Sequence, residues 1–231
     1  LKDYLKIYPK TRLFIAKSSP PILKNLMIKD GFSPNEIDEI TIGDINMAIF
    51  PNKAHGDLID IDSGACFRFK DEIILNLNDC SFDESQVSQI VQWCEGVKPV
   101  LGMFSYAGAS AFPHMYHFSD EAKRKAKIKE IINSEMNLFE KYRKVFDPEY
   151  SLPFAGKYWL GGPLIDRNKN RAVSDAVDTK NLPDSEKIIV LDDTDINNIN
   201  YFDCTSKTVC GKERIHPYND VAASNYLRSL N

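Results

Sequence analysis

Residues 74–85, ILNLNDCSFDES, change character twice within a short span. Ile74, Leu75 and Leu77 form a strand-like apolar run, Asn78-Asp79-Cys80 stops it, and Asp83 with Gln86 makes the reciprocal capping pair that opens a helix. A strand that runs almost directly into a helix delivers a carboxylate and a thiol to the mouth of a sheet. Such a place suits a metal, a substrate or simply a turn, and position alone leaves all three open for Asp79.

The flanking sequence extends the same alternation. Upstream, residues 58–69 alternate over part of their length and Lys70-Asp71 turns the chain into 72–77, which predicts a β-hairpin. Downstream, Val87, Ile90, Val91 and Cys94 share one helix face that Gly96 closes, and Val97 to Met103 reads as a buried strand before the small-residue loop SYAGASAFP at 105–113. Nearer the N-terminus, Arg12 to Ala16 reads as a strand. Ser18-Ser19-Pro20-Pro21 offers a helix cap with proline in the first turn, and that helix runs to Gly31. Short strands follow near 38–42 and 46–50.

The longest periodic element is 119–147, capped by Ser119 and ended by Pro148, with Ile128, Ile131, Ile132, Leu138, Phe139, Tyr142, Val145 and Phe146 on one face. That face reads as core or subunit packing, and the basic run Lys123 to Lys129 as the solvated side. LPFAGKYWLGG at 152–162 suits a strand between tight loops, and Lys187 to Leu191 a further short strand; the last 40 residues show no clear organisation. With no internal repeat or low-complexity linker, strands alternating with helices predict a single α/β domain over 1–231.

Composition narrows the function classes. A chain of 231 residues, 43% hydrophobic and 27% charged, can bury a sizeable core. A net charge of -4 and a pI near 5.6 give no electrostatic footprint for nucleic acid. No apolar stretch approaches the roughly 18 residues of a membrane span. Small polar molecules fit this surface better than polyanions. The five cysteines are odd in number and form no C-x-x-C pair, which argues against a disulfide framework and a compact zinc ribbon and makes a reducing cytoplasm the default. No secretory signal opens the chain, and residue 1 is Leu.

The four histidines form no H-x-H and no H-E-x-x-H, so a metal site has to be assembled from distant positions. His55, in AHGD, and Asp79 are the natural candidates, because each follows or ends a predicted strand. Pro113 favours a loop around His114 and His117, and His216 precedes a proline in a polar tail. Cys80 acts as a nucleophile only if the following helix N-terminus lowers its pKa, and no base can be placed beside it; a buried thiol is the simpler reading. GAS at 108–110 and LGG at 160–162 match no phosphate-binding fingerprint.

Taken in order, His55 after a strand, Asp62-Ser63-Gly64, the strand into Asn78-Asp79-Cys80, Y-A-G-A-S-A-F-P from Tyr106 to Pro113, and P-F-A-G from Pro153 to Gly156 resemble the metallo-β-lactamase fold. The resemblance covers about residues 1–165 and is nearest the UlaG-like and CMP-N-acetylneuraminate hydroxylase-like branch. It implies the C-terminal portion of an αββα sandwich. It also implies two divalent metals, usually zinc and otherwise iron or manganese, with Asp79 as the bridging carboxylate and His55 as a ligand. A metal-dependent hydrolase or hydroxylase-like activity on a small polar substrate, such as a sugar or nucleotide-sugar derivative, would follow, with Tyr106, Ser110 and Tyr116 in the substrate pocket.

The sequence departs from that pattern in lacking H-x-H-x-D-H, and it lacks the Rieske pattern of the sialic acid hydroxylases. With Leu1, this reads as the C-terminal part of a longer polypeptide whose first half holds most ligands. Apolar strand faces would then be covered by that half or by a second copy in a homo-oligomer. The alternative is a degenerate, non-catalytic binding or assembly module of the same fold, or an unrelated α/β protein in which Asp79 caps a turn.

Overall fold

The computed structural model describes residues 1–52, 62–192 and 199–229. They fall into two units, Leu1–Asp71 with Cys80–Gly96 and Glu72–Asp79 with Val97–Asn231.

The first unit opens with helix α1 (Lys2–Ile7), strand β1 (Leu13–Ala16), helix α2 (Ile22–Lys29) and strand β2 (Pro34–Ile37). β1 and β2 pair in parallel from Leu13↔Pro34 to Ala16↔Ile37, the pairing that a helical crossover permits. α2 starts one turn later than Ser18 would have set it: Pro21 is its N-cap without a side-chain bond, and the Ser18 hydroxyl donates to the Pro20 carbonyl instead. An antiparallel meander follows, β3 (Glu39–Ile42), β4 (Ile45–Pro51) and β5 (Ser63–Phe69), close to the boundaries expected from alternation. Gly43, at φ 60, makes the tight turn between the first two.

Helix α3 (Glu84–Trp93) carries the expected capping box, Asp83 accepting from the Gln86 N–H while Gln86 accepts from that of Asp83. It buries Val87 and Ile90. Arg68 on β5 fastens its far end, donating to the Trp93 carbonyl at 2.7 Å and to Glu95 at 2.5 Å while lying over the Trp93 ring.

In the second unit β6 (Glu72–Asn78), β7 (Leu101–Ser105) and β8 (Tyr150–Phe154) pair in parallel. Ile73, Leu75 and Leu77 are fully buried at every second position of β6. Helix α4 (Glu121–Phe146) links β7 to β8 and lays Phe139, Tyr142 and Phe146 against Phe104 of β7, with ring centroids 5.7 to 6.2 Å apart. Its cap is Asp120 rather than Ser119: the carboxylate accepts from the Ala122 N–H at 2.8 Å. Asp147, left-handed at φ 40, ends it ahead of Pro148.

Beyond β8 the chain turns irregular. The strand expected between tight loops within 152–162 is the end of β8, which stops at Phe154, and a 3₁₀-helix occupies Gly162–Asn170. Lys187 to Leu191 is not a strand but makes two isolated bridges, Ser151↔Ile188 and Leu191↔Glu213. Ile188, Ile189 and Val190 are consecutively buried, and a 3₁₀ turn over Ser185–Lys187 leaves no straight run for a ladder. The last segment does organise, as an antiparallel pair β9 (Tyr201–Asp203) and β10 (Thr208–Cys210) and helix α5 (Asp220–Ser229). The fold class is mixed α/β. Among the described residues no helix is long and apolar enough to cross a membrane.

Candidate functional site

Asp79 owes its position to how β6 ends. The β6–β7 register shifts between Asn76 and Asn78, Asn78 adopts φ 51, and its N–H donates to the Asn76 side chain at 3.1 Å. Asparagine tolerates this left-handed geometry because its short amide bonds locally. The irregularity stops the ladder and leaves Asp79 exposed on the turn. Its neighbour in charge is Glu135, halfway along α4. Burial first, and the Asp79 charge second, push the Glu135 carboxyl above the usual carboxylate range. Among the described residues neither carboxylate has an ion-pair partner.

The small-residue loop after β7 accommodates this arrangement. A Cβ at Gly108 would stand 3.0 Å from Glu135 Oε1, so the glycine makes room for the carboxylate. Tyr106 is buried, and a Cβ at Gly156 would lie 2.0 Å from its ring. Its hydroxyl accepts the Lys157 N–H at 3.0 Å. This contact locks the Y-A-G-A-S loop to the P-F-A-G segment, so Tyr106 supports the loop from behind.

The remaining residues singled out from sequence are dispersed. Ser110 is exposed, its hydroxyl accepting the Phe112 N–H at 3.1 Å, and Tyr116 is exposed with its ring edge-on to Phe112. His55 lies outside the described residues. His114 sits in the expected loop but is buried, and burial, then the charges of Arg171 and Arg167, hold its imidazole below the usual histidine range. His117 and His216 are exposed, and Cys80 is fully buried.

Sequence reasoning missed Glu135 and a second polar centre around Asp175. Asp175 is 4% exposed; its carboxylate receives Arg214 at 2.7 Å, Lys157 at 3.2 Å and the N–H groups of Val177 and Tyr218 at 3.1 and 3.0 Å. Arg171, also buried, lies over the rings of Tyr158 and Trp159, and one of its guanidinium nitrogens has no hydrogen-bond partner among the described residues. Lys157, Asp175 and Arg214 are too far apart in sequence for any spacing rule to join them. With its lone pairs occupied, Asp175 ties irregular segments together and has little capacity left for chemistry.

Asp79 and Glu135 have the oxygen-donor chemistry of a hard divalent cation site. Among the described residues, however, no group of three or more His, Cys, Asp or Glu side chains is placed to hold a metal. The pair is therefore two donors of a set that these residues do not complete.

No family model matches the sequence, and no curated protein matches it. Solved structures are similar to parts of it. One is a possible metal-dependent hydrolase from Veillonella parvula, at 12% identity over 79% of this chain and 64% of that one, with a TM-score of 0.46. Another is CmlA, a diiron β-hydroxylase from Streptomyces venezuelae, at 15% identity over 62% of this chain and 30% of that one, with a TM-score of 0.41. A third is a metallo hydrolase from the archaeon Ignicoccus hospitalis, at 14% identity over 67% of this chain and 58% of that one, with a TM-score of 0.39. The chain thus spans between 30% and 64% of the length of these proteins.

Proposed function

We propose that this chain is part of a metal-dependent hydrolase or hydroxylase-like domain with the αββα architecture of the metallo-β-lactamase fold. In this reading Asp79 is a metal ligand and the substrate is a small polar molecule such as a sugar or nucleotide-sugar derivative. The observation that carries it is the pairing of Asp79 and Glu135. Two carboxylates within electrostatic reach, one half-buried and neither paired with a cation among the described residues, repel each other, and a divalent cation relieves that repulsion.

A divalent ion held there supplies Lewis-acid polarisation and an acidified water. The chain contributes the rest. The β6 turn holds Asp79 outward, Gly108 leaves space for Glu135, and Tyr106 against Gly156 fixes the loop between them. His55 is the nitrogen donor expected to join them.

Calorimetric titration of the protein with Zn²⁺ and Mn²⁺, with elemental analysis after dialysis, tests this reading. Asp79→Ala, at an exposed turn, should weaken binding at least about tenfold with the thermal midpoint of the apo form unchanged, and Glu135→Gln should weaken it less. Absence of binding by the unsubstituted protein, or equal binding by Asp79→Ala, rejects it.

A further inference from the structure

We infer that the first unit carries a binding cleft for a small, uncharged, hydroxyl-rich molecule of about monosaccharide size. The inference goes beyond the proposed metal chemistry and uses none of its residues.

The cleft is a cavity of about 460 Å³, within the roughly 300–1,000 Å³ of small-molecule sites. It opens beyond the carboxyl ends of the parallel pair β1–β2. There the Lys17 N–H still reaches the Ile37 carbonyl at 3.3 Å, and Lys17 and Asp38 line one side. Crevices past the carboxyl ends of parallel strands are where open α/β sheets bind ligands. The end of β4 supplies Phe50, and the first turns of α3 supply Gln86 and Gln89.

The chemistry of this lining selects the ligand class. Among the described residues its one cation and one carboxylate, Lys17 and Asp38, stand 3.9 Å apart at exposed positions, so neither sign of charge dominates the lining. Gln86 is 4% exposed and held rigidly: its amide N–H donates to the Pro51 carbonyl at 2.5 Å and its oxygen accepts from the Asp83 N–H at 3.3 Å. Among the described residues one N–H and one lone pair of that amide remain without a partner, and Gln89 adds a second amide. A hydroxyl, which donates and accepts at once, matches the amides and the Lys–Asp couple together. The half-buried Phe50 ring suits the C–H face of a pyranose.

Saturation-transfer NMR and calorimetry on the full chain, with D-glucose and N-acetyl-D-glucosamine as probes and inorganic phosphate as the charged control, decide the matter. At least one sugar should bind and phosphate should not. Gln89→Ala and Lys17→Met, both at exposed positions, should each weaken the sugar about fivefold. Sugar binding should be the same with and without EDTA, which separates this cleft from the metal reading. Binding of neither sugar, a preference for phosphate, or unaltered affinity in both cleft variants overturns the inference.

Discussion

Asp175 shows how one side chain can govern the acid stability of its surroundings. Burial pushes its carboxyl up, but the N–H groups of Tyr218 and Val177 and the Arg214 charge pull it further down, leaving it below the usual carboxylate range. A carboxyl that titrates lower in the folded than in the unfolded chain, where its pKa is about 3.9, stabilises the fold above that value. The contribution is lost as pH falls through the folded pKa. Asp175→Asn removes the carboxylate that buried Arg214 meets at 2.7 Å, while Lys157 keeps Asp220 at 2.7 Å, and at pH 7 should cost about 3 kcal/mol. Urea denaturation of both proteins at pH 7 and pH 3 checks the assignment: the gap should be large at the first and shrink at the second. An equal gap at both would mean that Asp175 contributes through packing alone.

Among the elements, α4 is the one whose two halves differ most. Its C-terminal half buries Phe139, Tyr142 and Phe146 against Phe104, while its N-terminal half buries no residue fully. Phe139→Ala should therefore cost about 3–5 kcal/mol, whereas Ile131→Ala, at a half-buried position, should cost about 1. Equilibrium denaturation measures both, and similar losses would show that the aromatic cluster does not anchor the helix. The existence of α4 is legible in sequence because its apolar period, cap and terminating proline are all local. The same holds for the Asp83–Gln86 capping box and for the stop at Asn78-Asp79. Glu135 is not legible, since a glutamate in a charged helix looks like surface, and only the fold brings it over Gly108. Residues 187–191 mislead for a related reason: four consecutive apolar residues, Ile188 to Leu191, promise a strand, but an apolar run alone leaves the type of element undecided.

Over the whole molecule the five free thiols fall into two groups that coincide with the two units. Cys66, Cys80 and Cys94 are buried in the first unit, and Cys204 and Cys210 are partly exposed in the second. Burial, with Cys94 nearby, pushes the Cys66 thiol far up, and burial also raises Cys94, so neither offers a thiolate at neutral pH. Cys204 is raised as well, by burial and then by the charges of Glu72 and Asp203. An aromatic disulfide reagent added to the native protein at about pH 7.5 should accordingly label Cys204 and Cys210 only. The three remaining thiols should react only as urea opens the first unit. Mapping the modified peptides by mass spectrometry at each urea concentration turns those three into reporters of that unit alone, and Trp159 fluorescence, read in a Trp93→Phe background, follows the second. Rapid labelling of Cys66 or Cys80 without denaturant would mean that the first unit opens under native conditions, and the cleft lined by Gln86 and Phe50 would then lack the rigid walls on which its selectivity depends.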